Sequence, residues 1–308
     1  MKKIIIRISI FLIPLIILGG GFELSLRNIP NDYIIKNAYL KQHANNIQVL
    51  FLGSSHAYRG INPEYISFPS YNAAYISQSI DLDYEITMKY KNEFSNLKYI
   101  VLPISYFTLF GNLSNGKESW RQKNYCIYYD ICSSKDIKNH FEILSSNLKA
   151  NIEKYFIYYI KKEIIITTDS NGYGVFKGTS ELNESGIEAA KRHTKENFSL
   201  YETNFSLLNK IINYSKNKKI NLILYTPPAY ITYREKLNRE QLNLTISTIE
   251  NLVRKESKVF YLNLLNSESF KSEDFYNADH LNEIGAEKLT HKINNYINKI
   301  ENEQITTD

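Results

Sequence analysis

The sequence predicts an α/β fold built on a parallel sheet of about five strands. Four short runs of consecutive apolar residues punctuate the chain, amphipathic segments stand between them, and polar residues gather directly after the runs. Consecutive apolar residues suit a strand buried on both faces. Strand and helix in alternation point to right-handed crossovers in one parallel sheet.

The elements follow in chain order. Met1-Lys2-Lys3 and Arg7 form a basic start, and Ile8 to Leu18 is unbroken apolar sequence. Ile4 to Phe22 is near the ~20 residues that cross a bilayer, and the positive flank keeps the N-terminus on the cytoplasmic side. No small-x-small cleavage site follows Gly21, which favours an uncleaved anchor over 1–26 rather than a removed signal peptide. In a bacterial cell the remainder, 27–308, is then exported from a single anchor in the inner membrane. Arg27 to Asn46 is a polar connection with weak helical character.

The first strand is Ile47 to Leu52. Similar runs recur at Tyr99 to Ile104, Ile220 to Tyr225 and Val259 to Leu265, with Ser70 to Ala73 as a further short strand. Between them Ile80 to Phe94, Phe198 to Tyr214 and Gln241 to Val253 place apolar residues at helical spacing. The long interval from 108 to 197 breaks the alternation. It contains a predicted helix from Ile137 to Lys162 and the glycine-bearing stretch NGYGVFKGTSE. It is expected to be an insertion over the strand ends, either a lid or added helical bulk.

At 308 residues and 43% apolar content the chain can bury a real core. The net charge of +5 is scattered, with no block of like charge, so no nucleic-acid partner is implied. Cys126 and Cys132 are the only cysteines. They lack the companions of a zinc site, and are either a disulfide of an exported domain or two packed thiols. Trp120, Tyr125, Tyr128 and Tyr129 read as packing residues, with stacking on sugar rings as the alternative.

Ligands of parallel sheets bind at the carboxyl ends of strands, and VLFLGSSH delivers Gly53-Ser54-Ser55 there. Alone, these serines would be helix caps. His280 changes that, because DFYNADHLNEIG sets an imidazole on a loop after the last strand, at the same sheet edge. A serine nucleophile needs a base for its proton and donors for the oxyanion. His56 is expected to point away from the partner of Ser55, and His193 to lie on an exposed polar helix face.

The two stretches resemble the SGNH (GDSL-like) hydrolase superfamily, in which a strand ends in Gly-Asp-Ser and a late D-x-x-H supplies the base. The likeness is nearest to exported members acting on bacterial surface polysaccharides, such as alginate O-acetyltransferases, and covers 47–108 and 220–300. It implies a three-layer flavodoxin-like sheet with Ser55 as nucleophile, His280 as base and no metal or organic cofactor. Two departures stand out. Asn277 occupies the place of the orienting aspartate, with Asp279 or Asp274 as alternative acids, and the oxyanion block is missing. Ala74 is then expected to donate its N–H to the oxyanion beside Ser55, and Asn72 to add its amide or to end a strand. The resemblance implies a serine ester hydrolase or O-acetyltransferase on a cell-surface polysaccharide. The alternative is a non-catalytic polysaccharide-binding or assembly protein on the same fold.

Overall fold

Five strands, β1 (Val49–Phe51), β2 (Ser70–Asn72), β3 (Tyr99–Pro103), β4 (Asn221–Thr226) and β5 (Val259–Asn263), form an all-parallel sheet in the order β2-β1-β3-β4-β5 in the computed structural model. Residues 2–132 and 136–305 are described; 133–135 of the cysteine segment and the 306–308 end of the expected 27–308 domain lie outside them. The consecutive apolar runs behave as anticipated. Every residue of β1, β3 and β4 is buried, and β5 at the sheet edge is buried only at its start. The strands are shorter than the runs, because flanking apolar residues such as Leu52 and Ile104 pack beyond the ladder.

The helices are α1 (Lys2–Arg27), α2 (Asp32–His43), α3 (Ser55–Tyr58), α4 (Ile80–Lys89), α5 (Gln122–Tyr128), α6 (Glu142–Ser145), α7 (Leu148–Tyr155), α8 (Asn183–His193), α9 (Tyr201–Asn217), α10 (Ile231–Arg234), α11 (Arg239–Lys255) and α12 (Glu283–Ile305). The order 2-1-3-4-5 with right-handed crossovers puts α4, α9 and α11 on one face of the sheet. Contact between α4 and α9 agrees with this. The β1–β2 connection and α12 share the other face: Thr290 Oγ1 accepts from Asn62 N–H at 3.0 Å, and Asn294 Oδ1 from Ser67 N–H at 2.9 Å. The sheet reverses its winding between β1 and β3, so the loop after β1 opens at the switch point where such sheets bind ligands.

Internal contacts divide the chain into two units, 1–38 with 117–166, and 39–116 with 167–308. The 108–197 interval is shared between the two units. The predicted helix from Ile137 to Lys162 is likewise broken into a 3-10 turn (Ile137–His140), α6, α7 and a π turn (Phe156–Ile160). Phe141 and Ser146 are extended, and the Asn147 side chain caps α7 at Ala150 N–H, which starts a new helix instead of continuing the old one. The connection expected from Arg27 to Asn46 contains α2, a full helix.

In the first unit, α1 is long and apolar enough to cross a membrane, and its first eighteen described residues are largely exposed. Its last turns are anchored in protein. The Glu23 carboxylate accepts the N–H groups of Glu142 and Ile143, each at 2.9 Å, at the start of α6. Glu142 is itself fully buried and pairs with Lys123 Nζ (2.6 Å), Lys154 Nζ (3.3 Å) and Tyr128 Oη (2.6 Å). Burial pushes its carboxyl up, but Lys154 and Lys123 together hold it below the usual range. Cys126 and Cys132 form a disulfide. Tyr125 and Tyr129 are buried against Tyr33, the packing role expected of them, while Trp120 stays partly exposed beneath Arg121.

Candidate active site

All the residues of the site lie in the second unit. Gly53 ends β1 with φ +110°, a conformation that favours glycine, and a Cβ there would stand 2.4 Å from Pro103 Cγ. The turn lets Ser54 cap α3, its Oγ accepting from His56 N–H at 3.5 Å, and sets Ser55 as the first helical residue. Ser54 is thus engaged in the cap. Ser55 is half-buried and faces outward from the helix start.

On the far side, β6 (Phe275–Asn277) and β7 (His280–Leu281) pair antiparallel around the two-residue turn Ala278-Asp279. The turn brings His280 back against Asn277. Asn277 Oδ1 accepts from Asp279 N–H (3.3 Å) and His280 N–H (2.9 Å), and lies 3.0 Å from His280 Nδ1. With the Nδ1 proton donated to Asn277, Nε2 is an acceptor, and it stands 2.8 Å from Ser55 Oγ. The hydroxyl donates to the imidazole in the manner of a nucleophile and its base.

The Asp279 carboxylate supplies what the asparagine lacks. Its Oδ1 lies 3.2 Å from His280 Nδ1. Asp279 is buried, with Arg192 Nη2 at 3.5 Å, His56 Nε2 at 3.8 Å and His193 Nδ1 at 4.0 Å from its Oδ2. Burial alone would push this carboxyl up, but His280 and then His56 outweigh it and hold it well below the usual range. A negative charge therefore sits beside the imidazole at neutral pH. Asp274, the other acid considered, is committed elsewhere: its Oδ2 binds Lys288 Nζ at 2.5 Å and accepts Lys271 N–H at 2.7 Å.

His56 does not point away from this assembly. Its ring centroid is 5.1 Å from that of His280, and Nδ1 lies 2.6 Å from Ser105 Oγ. Divergence of ~100° between helical neighbours separates it from Ser55. It does not separate it from the wide turn that carries Asp279. His193 also departs from the exposed face expected of it: its ring packs on Phe107 at 4.2 Å between centroids, and Nδ1 lies 2.9 Å from Tyr233 Oη. Burial, first, lowers the pKa of both histidines, against the raising effect of the Asp279 carboxylate. The end of the expected insertion also adds Phe176, whose ring meets His280 edge to face at 5.9 Å.

The two groups expected to face an oxyanion are hydrogen-bonded within the fold. The Ala74 N–H is turned inward to Asn72 Oδ1 at 3.1 Å, and Asn72 Nδ2 donates to Ala57 O (2.9 Å) and Ile61 O (2.8 Å). Both residues are fully buried. Asn72 is a brace between β2 and the α3 loop, because a buried strand end leaves carbonyls that need donors. The backbone N–H of Ser55 heads α3, and among the described residues it has no protein acceptor. Sequence reasoning also missed Asp83 on α4, buried behind the Gly53–Ser55 turn, which accepts Gly53 N–H at 2.8 Å and the Gln78 amide at 2.6 Å. Desolvation pushes its carboxyl up to about 7. An acid on a helix face gives no sequence signal of such a contact.

As potential metal ligands, His56, Asp279 and His280 offer atoms within 4.8 Å of one another. Both His280 nitrogens and His56 Nδ1 are already hydrogen-bonded, which leaves His56 Nε2 and the carboxylate, fewer donors than a closed site uses.

No family model matches the chain, and no curated protein matches it in sequence. Similar solved structures include one described as an acylhydrolase from Bacteroides fragilis (11% identity, 85% of this chain and 95% of that chain, TM-score 0.42). Another is described as a platelet activating factor from Streptococcus pneumonia (10% identity, 94% and 98%, TM-score 0.43). A third is a GDSL-like lipase from Bacteroides thetaiotaomicron (11% identity, 87% and 99%, TM-score 0.41).

Proposed function

We propose that this protein is a membrane-anchored serine acyl-transfer enzyme of SGNH type, an ester hydrolase or O-acetyltransferase acting on a surface carbohydrate outside the cytoplasmic membrane. The observation that carries the reading is the 2.8 Å contact of Ser55 Oγ with His280 Nε2, with His280 Nδ1 held by Asn277 and faced by the Asp279 carboxylate. Ser55 Oγ attacks the acyl carbonyl as His280 takes its proton. The imidazolium so formed is oriented by Asn277 and stabilised by Asp279, and the Ser55 N–H faces the developing oxyanion. His280 then returns the proton to the leaving oxygen. Water or a sugar hydroxyl, activated by the same imidazole, resolves the acyl-enzyme.

An exported location is supported by the apolar α1 and by the Cys126–Cys132 disulfide, which suits an oxidising compartment. The test is hydrolysis of p-nitrophenyl acetate by the detergent-solubilised full chain, beside Ser55→Ala and His280→Ala, with fluorophosphonate labelling of Ser55. Turnover lost in both variants and a label that maps to Ser55 are expected. Equal inertness of all three proteins, with no label, removes the enzyme reading. A non-catalytic carbohydrate-binding protein is the second reading, and the commitment of the Ala74 N–H to Asn72 is the observation that favours it.

A further inference from the structure

Residues 148–166 of the first unit carry apolar side chains that the fold leaves uncovered. Leu148, Ile152, Phe156 and Ile160 recur every fourth residue through α7 and the π turn, and are 67%, 52%, 47% and 59% exposed. Ile164 and Ile165, beyond the π turn, are also exposed, at 57% and 66%. An unbroken apolar strip of this kind marks a contact surface. The exposed Lys149, Lys161 and Lys162 stand at its two ends.

What covers this strip is indicated by α1. Tyr155 packs on Phe22 with ring centroids 5.7 Å apart, and Tyr159 Oη donates to Ser25 O at 3.0 Å. The segment 155–159 therefore sits beside α1 at Phe22–Ser25, where the exposed apolar part of α1 ends. At 1.5 Å per residue the helix from Ile4 to Gly21 is roughly 27 Å long, close to the ~30 Å hydrocarbon core of a bilayer. If α1 spans, the boundary of that core falls beside Phe22, at the level of Tyr155. Tyrosines at that level and lysines able to reach the headgroups are the side chains an interfacial helix uses.

We propose that α7 and the following π turn lie in the membrane–water boundary beside the anchor, with Leu148, Ile152, Phe156 and Ile160 among the lipid chains. The proposal rests on the reading of α1 as a membrane anchor. Its partner is the bilayer itself, and the Lys149, Lys161 and Lys162 ammonium groups meet the headgroup phosphates. The chain has no free cysteine, so single cysteines for an environment-sensitive fluorophore can be introduced at Phe156, and separately at Ile152, in the full chain. Companion labels at Ile13 on α1 and Glu250 on the second unit act as references. The proteins are reconstituted in phosphatidylcholine–phosphatidylglycerol vesicles carrying nitroxide lipids.

The Phe156 and Ile152 labels are expected to be quenched by nitroxide near the headgroups, and to be quenched by aqueous iodide about fivefold less than the Glu250 label. The Ile13 label is expected to be quenched by nitroxide deep in the chains. Iodide quenching at Phe156 and Ile152 equal to that at Glu250, with Ile13 in lipid, overturns the interfacial helix and leaves the anchor standing. Labels at Phe156 and Ile152 shielded from iodide yet untouched by nitroxide lipid also overturn it, and point to a second copy or another protein. An Ile13 label outside the lipid overturns the anchor, and the interfacial helix with it.

Discussion

Asp279→Asn separates the charge beside His280 from the hydrogen bond that orients it. The carboxylate Oδ1 is 3.2 Å from His280 Nδ1, and the two side chains are 1% and 14% exposed. A unit charge pair at that distance is worth about 5 kcal/mol at an effective dielectric of 20, and about 1 kcal/mol in water. In the proposed mechanism the imidazolium exists only while Ser55 has given up its proton, so this energy belongs to the transition state. At 1.36 kcal/mol per factor of ten, Asp279→Asn is expected to lower kcat/KM for p-nitrophenyl acetate by ~10²-fold, within bounds of ~10 and ~5,000. Asn277→Ala, which removes one hydrogen bond and keeps the charge, is expected to cost ~10-fold. The double variant Asn277→Asp/Asp279→Asn returns a carboxylate to the Nδ1 side and is expected to recover at least ~10-fold over Asp279→Asn. The assay is steady-state kinetics, with circular dichroism confirming that each variant is folded. Asp279→Asn within ~3-fold of the parent, or a double variant no better than the single, would refute the division of labour between Asn277 and Asp279.

Four other perturbations have defined outcomes. Gly53→Ala forces a positive φ on an L-residue and pushes Cβ into the Pro103 ring, so a loss of about 3 kcal/mol of stability, read by thermal denaturation, is expected. The Asp83 carboxyl titrates at about 7 in the fold against 3.8 when unfolded. The folded state thus holds this proton more tightly, and stability is greatest below about pH 4 and falls until the pH passes about 7. Asp83→Asn is expected to remove about 3 kcal/mol of that decline between pH 5 and 8, and parallel melting curves for parent and variant would count against it. His56→Gln breaks the contact with Ser105 and leaves Ser55 and His280 in place, so kcat is expected to fall by no more than ~10-fold, in contrast to His280→Ala. Cys126→Ser with Cys132→Ser opens a loop of six residues' separation and is expected to cost the first unit about 2 kcal/mol.

The sheet was legible because burial on both faces writes itself into sequence as unbroken apolar runs, such as Leu50-Phe51-Leu52 and Leu222-Ile223-Leu224, all fully buried. The order 2-1-3-4-5 then follows from few further choices. The interval 108–197 was not legible. Its helices are short, and they are held by polar contacts such as Glu142 with Lys123 and Glu23 with the start of α6, which leave no periodicity to read.

The site divides along the same line. Ser55 and His280 could be placed at one edge because strand ends and the loop after the last strand fix them through topology alone. The two-residue turn Ala278-Asp279 is equally local, and a hairpin that returns His280 to Asn277 sets Oδ1 against Nδ1 with no help from distant elements. The oxyanion donors are the opposite case. Whether the Ala74 N–H faces the site depends on where Asn72 Oδ1 lies, and Asn72 is fixed by Ala57 O and Ile61 O on another element. His56, His193 and Arg192 converge on Asp279 from α3 and α8, an arrangement that exists only once those helices are packed. The buried Asp279 carboxylate has the Arg192 guanidinium at 3.5 Å as its permanent cation, with three imidazole rings around it, in keeping with the rule that buried charge must be compensated. That arrangement lets Asp279 stay ionised next to His280, so the departure from aspartate at 277 removes an acceptor's charge from one position and finds it again two residues later.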